Sequence, residues 1–282
     1  MVAVCEQIME GNKPHPAASG RRRKSASPLA KAVGGSGGVV KREITRLVSP
    51  GTLIEDHLLQ PRSNNYLASV YYEPQSHNDG TDANLIGLTW MDLSTGDFHY
   101  TSVPTAQELR TELHRINPSE IICSYHLKAV LLLSSSSTPD EAFNCASADI
   151  VLQQIVKQIS KQSQNQQERE IADTLTHYRT TPRAQSDFTE SEAQITFSNS
   201  FNADEMRQVS QLEKAETCSA GALLRYVCQT QKGGLPSLSL PKRHIINDIM
   251  HIDSSTFQCL ELVQSNSLES SKTLLFVLSE GY

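Results

Sequence analysis

Asp92 and Asp97 stand at the two ends of a Ser-Thr-Gly turn, and two carboxylates so placed could hold magnesium for phosphodiester cleavage. The same letters are what a tight hairpin uses in any case, and the hairpin is the preferred reading. Gly34-Gly35-Ser36-Gly37-Gly38 with Lys41 invites comparison with a phosphate loop. The G-x-x-x-x-G-K-[ST] spacing is absent, and Arg42 stands where a hydroxyl should meet magnesium, so a glycine-rich linker is expected. Asp248, His251 and Asp253 lie close together but read as ordinary exposed polar residues. The 9 histidines include no H-E-x-x-H, and the 6 cysteines include no C-x-x-C pair. Neither a zinc cluster nor a dense disulfide framework is expected, and a reducing compartment is the simplest setting. There is no G-x-S-x-G elbow, and no cysteine has a neighbour that would lower its pKa. Taken alone, this chemistry does not make the chain an enzyme.

The 282 residues allow one or two domains, each able to bury a core. A hydrophobic share of 38% and a mean hydropathy of −0.37 suggest a folded part diluted by polar inserts. No apolar run approaches the roughly 20 residues of a membrane span, and the first ten residues lack the pattern of a secretory signal, so neither anchor nor signal is expected. The net charge of −6 is unevenly spread. Residues 1–48 hold 9 Lys or Arg against 3 Glu, which leaves an excess of 12 acidic groups on the remainder. Arg21 to Lys24 lie within a Ser-, Ala-, Pro- and Gly-rich stretch, 11–38, that has no apolar periodicity and reads as a flexible insertion. An acidic body is a poor surface for a DNA duplex as a whole, so any phosphate contact is local. Lys41, Arg42 and Arg46, clustered in the basic head, are the residues expected to make it.

The elements that would position these residues follow from periodicity. Val2 to Cys5 reads as a buried strand, and Val39 to Val48 resumes with alternating apolar residues that put Val40, Ile44 and Val48 on one face. Ser49-Pro50-Gly51-Thr52 is a turn, with Gly51 available for positive φ. Tyr66 to Tyr72, Leu85 to Leu93 and Phe98 to Ser102 predict an antiparallel meander. Helix is expected from Thr105 to Ile116, closed by Asn117-Pro118, then a short strand from Glu120 to Cys123. Leu127 to Leu133 and Asp149 to Ile159 suggest further helices, while the Gln-rich run from Gln153 to Gln167 reads as a solvated helix or insertion. Asn202 to Glu205 is a capping box opening a helical stretch to Lys232. One helix of roughly 29 residues would be about 43 Å long, too long for a compact α/β domain to cover. A second, helical domain is therefore expected from residue 202. Leu274 to Leu278 begins an apolar pattern with no partner in the chain, which suggests a partial polypeptide.

Several of these segments, in order, resemble the MutS family of DNA mismatch-repair proteins. Val2 to Gln7 looks like the last strand of the family's mismatch-recognition domain, and Val40 to Thr52 like the exit from it, with Ser49 where the family has Thr. Gly87-Leu-Thr-Trp-Met-Asp-Leu-Ser-Thr-Gly-Asp-Phe98 is similar to the hairpin of the connector domain. Cys218 to Val227, continuing through Leu235-Pro236, resembles the helix leading into the lever domain. Ile252 to Thr256 with Leu260 to Leu262 resembles the next block, from which Phe257, Gln258 and Cys259 depart.

The resemblance implies an α/β chain: residues 1–50 as the tail of a mismatch domain, 51–200 as an RNase H-like connector with a polar insertion at 140–200, and 202–282 as the start of a helical lever. The family wedges a Phe beside the unpaired base, with Glu two residues on. Phe188-Thr189-Glu190 has those letters but lies after the connector hairpin, so it is not expected to be the wedge. By resemblance the full protein binds mismatched double-stranded DNA, a MutL-type partner, a MutS-type dimer partner, and ATP with magnesium. This chain alone is expected to bind no cofactor and to show no activity. A mitochondrial rather than nuclear location is favoured because the similarity is closer to the bacterial and organellar branch. The alternatives are a stand-alone adaptor acting through the acidic body and a nuclease using Asp92 and Asp97.

Overall fold

The structure, a computed structural model, describes residues 1–7, 42–55, 57–59, 64–72, 85–136, 146, 149–159, 166–232 and 238–245, with isolated positions at 252, 256, 259–261 and 273. The basic insertion, the glycine-rich run, Lys41, the Asp248, His251 and Asp253 group and the apolar run from 274 lie outside the described residues. Among the described residues no helix is long and apolar enough to cross a membrane.

The expected meander is present: β3 (Tyr66–Tyr71), β4 (Ile86–Asp92) and β5 (Asp97–Val103) pair antiparallel in sequence. It is the centre of a mixed six-stranded sheet. β6 (Glu120–Ser124) runs parallel to β3, β7 (Thr180–Arg183) parallel to β6, and β8 (Lys242–Arg243) parallel to β5, giving the order β7-β6-β3-β4-β5-β8. Separately, β1 (Val2–Gln7) and β2 (Arg42–Val48) form a two-stranded antiparallel ribbon.

β3 and β4 are buried almost throughout because helices cover both faces of the sheet, and successive side chains on a strand serve opposite layers. Ala68, Val70, Ile86, Leu88 and Ile121 pack against α1 (Ala106–Ile116), α2 (Tyr125–Ser135), α3 (Ile150–Ile159) and α4 (Gln166–Leu175). Leu67, Tyr71, Met91, Phe98 and Ile122 pack against α5 (Glu190–Ser200) and α7 (Lys214–Thr230), with the short α6 (Ala203–Val209) between those helices in the chain. The result is a three-layer architecture, and its α/β class is the one expected. Local signals set the helix ends as read. Thr105 accepts the Glu108 N–H at the start of α1, and Asn117 closes it at φ 47°, donating its N–H to Leu113 before Pro118.

Three expectations are corrected. Residues 202–230 do not form one helix, because α6 stops at Val209 and Glu213 and Glu216 form a second capping box that restarts the chain as α7. The length argument for a helical domain beginning at 202 goes with it. α7 is instead a layer of the sheet: Gly87 lies so close that a Cβ there would be 2.0 Å from the Ala215 carbonyl oxygen, and Ser219 Oγ donates to the Ser69 carbonyl at 2.8 Å. Nor is 140–200 a polar insertion outside the fold, since its described part from 166 onward is built into the sheet and its helical layers. α4 buries Ile171, Ala172 and Leu175 completely, β7 extends the sheet, and α5 buries Phe197. Finally, β2 carries an extra residue at Thr45, where the register shifts opposite Val4 and Cys5, so the alternation expected to align Ile44 with Val48 is broken and Ile44 is exposed.

Candidate functional site

The residues that concentrate buried polar chemistry lie where the incoming segment meets the sheet. After β2, Ser49 caps a 3-10 turn, Pro50–Thr52, in which the Ser49 N–H donates to Thr52 Oγ1 at 2.8 Å and the Thr52 N–H returns to the Ser49 carbonyl at 3.0 Å. This turn sits on Glu120, the first residue of β6, whose relative exposure is 1%. One carboxylate oxygen of Glu120 accepts from the Ser49 hydroxyl and, at 3.1 Å, from the Gly51 N–H. The other accepts from the Thr181 hydroxyl on β7 at 2.5 Å and from the Tyr226 hydroxyl on α7 at 3.1 Å. Tyr226 also lies 3.2 Å from Ser49 Oγ. Four donors from three segments, the turn, β7 and α7, therefore converge on one buried carboxylate, which satisfies it without a cation.

Packing fixes this geometry as firmly as the hydrogen bonds do. Gly51 is required for close approach rather than for positive φ, since a Cβ there would stand 2.5 Å from Leu67 Cδ1 and 3.0 Å from Glu120 Cβ. Burial pushes the Tyr226 hydroxyl pKa up to about 12, keeping it a neutral donor. The Arg183 guanidinium lies 5.6 Å above the Tyr226 ring and is held by Asp187 at 3.0 Å and by Gln229. Asp187 also receives Arg225 at 3.0 Å, and Arg225 bonds Glu192 on α5. The junction is thus tied through α7 to the helix beside it.

Of the residues expected to touch phosphate, Lys41 lies outside the described residues, and Arg42 is placed only as the first residue of β2. Arg46 is on β2 and pairs with Glu55, so its guanidinium is engaged across the turn. The structure therefore does not bring the three together as a described cluster. Asp92 and Asp97 face each other across the β4–β5 hairpin. Asp92 is buried and its carboxylate is filled by the Asn65 N–H at 3.0 Å, the Ser94 N–H at 2.8 Å and the Ser94 hydroxyl at 2.6 Å. Asp97 takes the Thr95 hydroxyl at 3.2 Å, and Gly96 supplies φ 78°. These contacts are those of a turn. Among the described residues no group of three His, Cys, Asp or Glu could hold a metal ion. Phe188 is 1% exposed and stacked on Tyr71 with ring centroids 6.0 Å apart, so it belongs to the core and cannot enter a base stack.

Glu120, Thr181 and Tyr226 were not singled out from the sequence. The available signal was a charged residue opening the otherwise apolar strand Glu-Ile-Ile-Cys-Ser.

Comparison with known proteins agrees with this layout. Residues 65–241 match the family described as MutS domain II. The DNA mismatch repair protein MutS of Wolbachia pipientis wMel is 31% identical over 279 residues, covering 98% of this chain and 25% of that protein. The protein of the same name from Rhodopseudomonas palustris (strain HaA2) is 34% identical over 274 residues, covering 97% and 23%. That from Anaplasma phagocytophilum (strain HZ) is 29% identical over 274 residues, covering 97% and 26%. The chain spans about a quarter of the length of the curated relatives it matches.

Proposed function

The chain belongs to the MutS family of DNA mismatch repair proteins, and on that premise we propose that it is the connector piece of such a protein, holding the segment that comes from a mismatch-reading domain rigidly against an α/β body. The observation that carries this reading is the Glu120 junction. A stand-alone adaptor would not need a buried carboxylate that grips the incoming turn from two strands and a helix. In a coupling piece, a displacement of β2 must reach α7 without being absorbed in a soft linker, and four charge-assisted hydrogen bonds on a packed core supply that stiffness.

On this reading the whole protein binds mismatched double-stranded DNA and hydrolysable ATP with magnesium, forms a dimer with a MutS-type partner and recruits a MutL-type protein. Lys41, Arg42 and Arg46 remain the proposed phosphate contacts. Residues 252–282 are the proposed start of a lever domain. Nucleotide and magnesium binding are proposed for parts of the whole protein other than the described residues. The bacterial relatives support a mitochondrial setting, which fractionation of the tagged parent protein would check.

The test is the full-length parent carrying Glu120→Gln or Tyr226→Phe. Mismatch affinity and ATP affinity measured separately should stay near wild type, while the effect of ATP on mismatch release should weaken. Unchanged coupling in both variants would sink the proposal.

A further inference from the structure

The outgoing segment 238–245 runs along the open side of β5. The Ser239 N–H donates to the Gly96 carbonyl and the His244 N–H to the Tyr100 carbonyl, both at 2.8 Å, with Lys242 opposite His99 and Arg243 opposite Tyr100. Successive side chains of a strand point to opposite faces, so neighbouring residues of this short strand reach different layers. Arg243 reaches the α7 layer, lying 3.0 Å from Glu216 and 3.2 Å from Glu213. The Glu216 side chain is fully buried, and its second oxygen receives the Glu213 N–H at 3.0 Å, closing the first turn of α7. His244 reaches the α1 layer. Its ring meets Trp90 edge-on at 5.4 Å, and Nε2 is 3.7 Å from Glu112, whose same oxygen takes two bonds from Arg115 at 3.0 and 2.7 Å. Trp90 is also stacked on His99 at 5.5 Å, with the Arg115 guanidinium 5.4 Å from its ring.

We propose that residues 238–245 are a two-sided clasp, in which one short strand fastens α7 through Arg243 and the Trp90–Glu112 pair through His244, and which docks and releases as a unit. Two ladder residues cannot hold a strand by themselves, so docking depends on both side-chain anchors. Each anchor holds the other at its site as a short tether does, and loss of either lowers the occupancy of both. Local opening of such an element is far less costly than unfolding the sheet beneath it. The clasp rests on the proposed function only for what lies beyond residue 245. If that reading holds, the clasp is where the following domain grips or frees the connector.

The experiment uses the 282-residue chain without DNA, nucleotide or partner. Trp90 is its sole tryptophan and sits on the face opposite Arg243. In Arg243→Ala, Trp90 emission should move to longer wavelength, and the His244 amide should exchange on the order of three to ten times faster. Coupling is reciprocal, so His244→Ala should speed exchange at Glu216 and Thr217 in the first turn of α7 by a similar factor. Central amides such as Leu88 and Ile121 serve as the control for folding and should keep their protection. Should Arg243→Ala fail to fold, Arg243→Lys, which keeps the charge but not the fork, is read in the same way. Unchanged Trp90 emission and His244 exchange in a folded variant would show two independent faces and overturn the clasp. Because the readout needs no repair activity, such a failure leaves the connector function standing, and a failure of coupling in the parent protein leaves the clasp standing.

Discussion

Replacing Glu120 by Gln and by Ala should separate what the carboxylate contributes as charge from what it contributes as an acceptor. Each carboxylate oxygen serves two donors: Ser49 and Gly51 on one, Thr181 and Tyr226 on the other. A glutamine amide fits the same space, and its oxygen can keep the Ser49 hydroxyl and the Gly51 N–H. Its NH2 then meets the Thr181 and Tyr226 hydroxyls, which can turn to accept. The Gly51 N–H keeps its acceptor and the Tyr226 hydroxyl can donate to Ser49 Oγ at 3.2 Å, so the cost is one displaced Thr181 hydroxyl proton plus the difference between charge-assisted and neutral bonds, offset by removal of a buried charge, and a net loss of about 1–3 kcal/mol is expected. Alanine leaves the Gly51 N–H buried without an acceptor and opens a cavity under the turn, for about 3–5 kcal/mol. Urea unfolding of the 282-residue chain, followed by Trp90 fluorescence and far-ultraviolet circular dichroism, measures both. Hydrogen exchange at Gly51 and Thr52 localises the change. Equal costs for the two variants, or a loss below about 1 kcal/mol for Ala with Gly51 still protected, would refute the idea that this carboxylate organises the junction.

Other perturbations bear on the layers around it. Gly87→Ala, which places a methyl 2.0 Å from the Ala215 carbonyl oxygen, should push α7 off the sheet and cost at least about 1–3 kcal/mol in the same urea assay. Phe188→Ala should cost about 3–5 kcal/mol as a core truncation, while leaving mismatch affinity of the parent protein unaltered wherever the parent remains folded. His99 has its pKa lowered, chiefly by burial and further by Lys242 and Arg115 against the opposing pull of Asp97. The folded state therefore favours neutral His99, so the stability it confers is present above its ordinary value of 6.5 and is lost as pH falls below it. His99→Gln should flatten the urea midpoint against pH in that window. Tyr226 has the opposite dependence: its pKa is raised from 10.0 to about 12, so stability falls as pH rises through that interval, and Tyr226→Phe should remove part of the fall.

The meander, α1 with both its ends, and β6 were legible because their signals are local: alternation, a Thr cap, and an Asn-Pro stop. α4 and α5 were not. Gln166–Leu175 and Glu190–Ser200 are mostly polar, and their few apolar residues are recognisable as a core only once β7 and the lower sheet face exist to receive them. The break between α6 and α7 was hidden for a related reason. Leu212 and the residues around it keep a helical apolar spacing, but the Glu213 cap and the requirement that α7 lie flat on Gly87 and Ser69 override it. At the site, Ser49-Pro50-Gly51-Thr52 was visible as a turn, whereas its partner Glu120 is about seventy residues away and carries no local mark. Asp92 and Asp97 were the reverse case, a conspicuous pair whose oxygens the turn itself occupies.

At both points where the chain reaches and leaves this body a buried carboxylate is set into the packing, and that choice bears on function. Glu120 and Glu216 are each almost wholly removed from water, where well-packed apolar side chains would stabilise about as well or better. A hydrophobic contact, however, tolerates sliding and rotation at little cost. A carboxylate that must satisfy the Ser49 hydroxyl, the Gly51 N–H, Thr181 and Tyr226 together accepts one register of the incoming turn, because any shift leaves a buried donor unmet. Glu216 constrains the outgoing strand in the same way by serving the α7 cap and Arg243 at once. Tyr226 and Glu216 lie ten residues apart on one helix, about 15 Å along its axis, so both junctions refer to a single rigid element. Geometry fixed at the incoming junction, and fixed at the outgoing one while residues 238–245 are docked, is what a coupling piece requires and an adaptor surface does not, which is why the polar junctions weigh more heavily in the functional reading than the acidic exterior does.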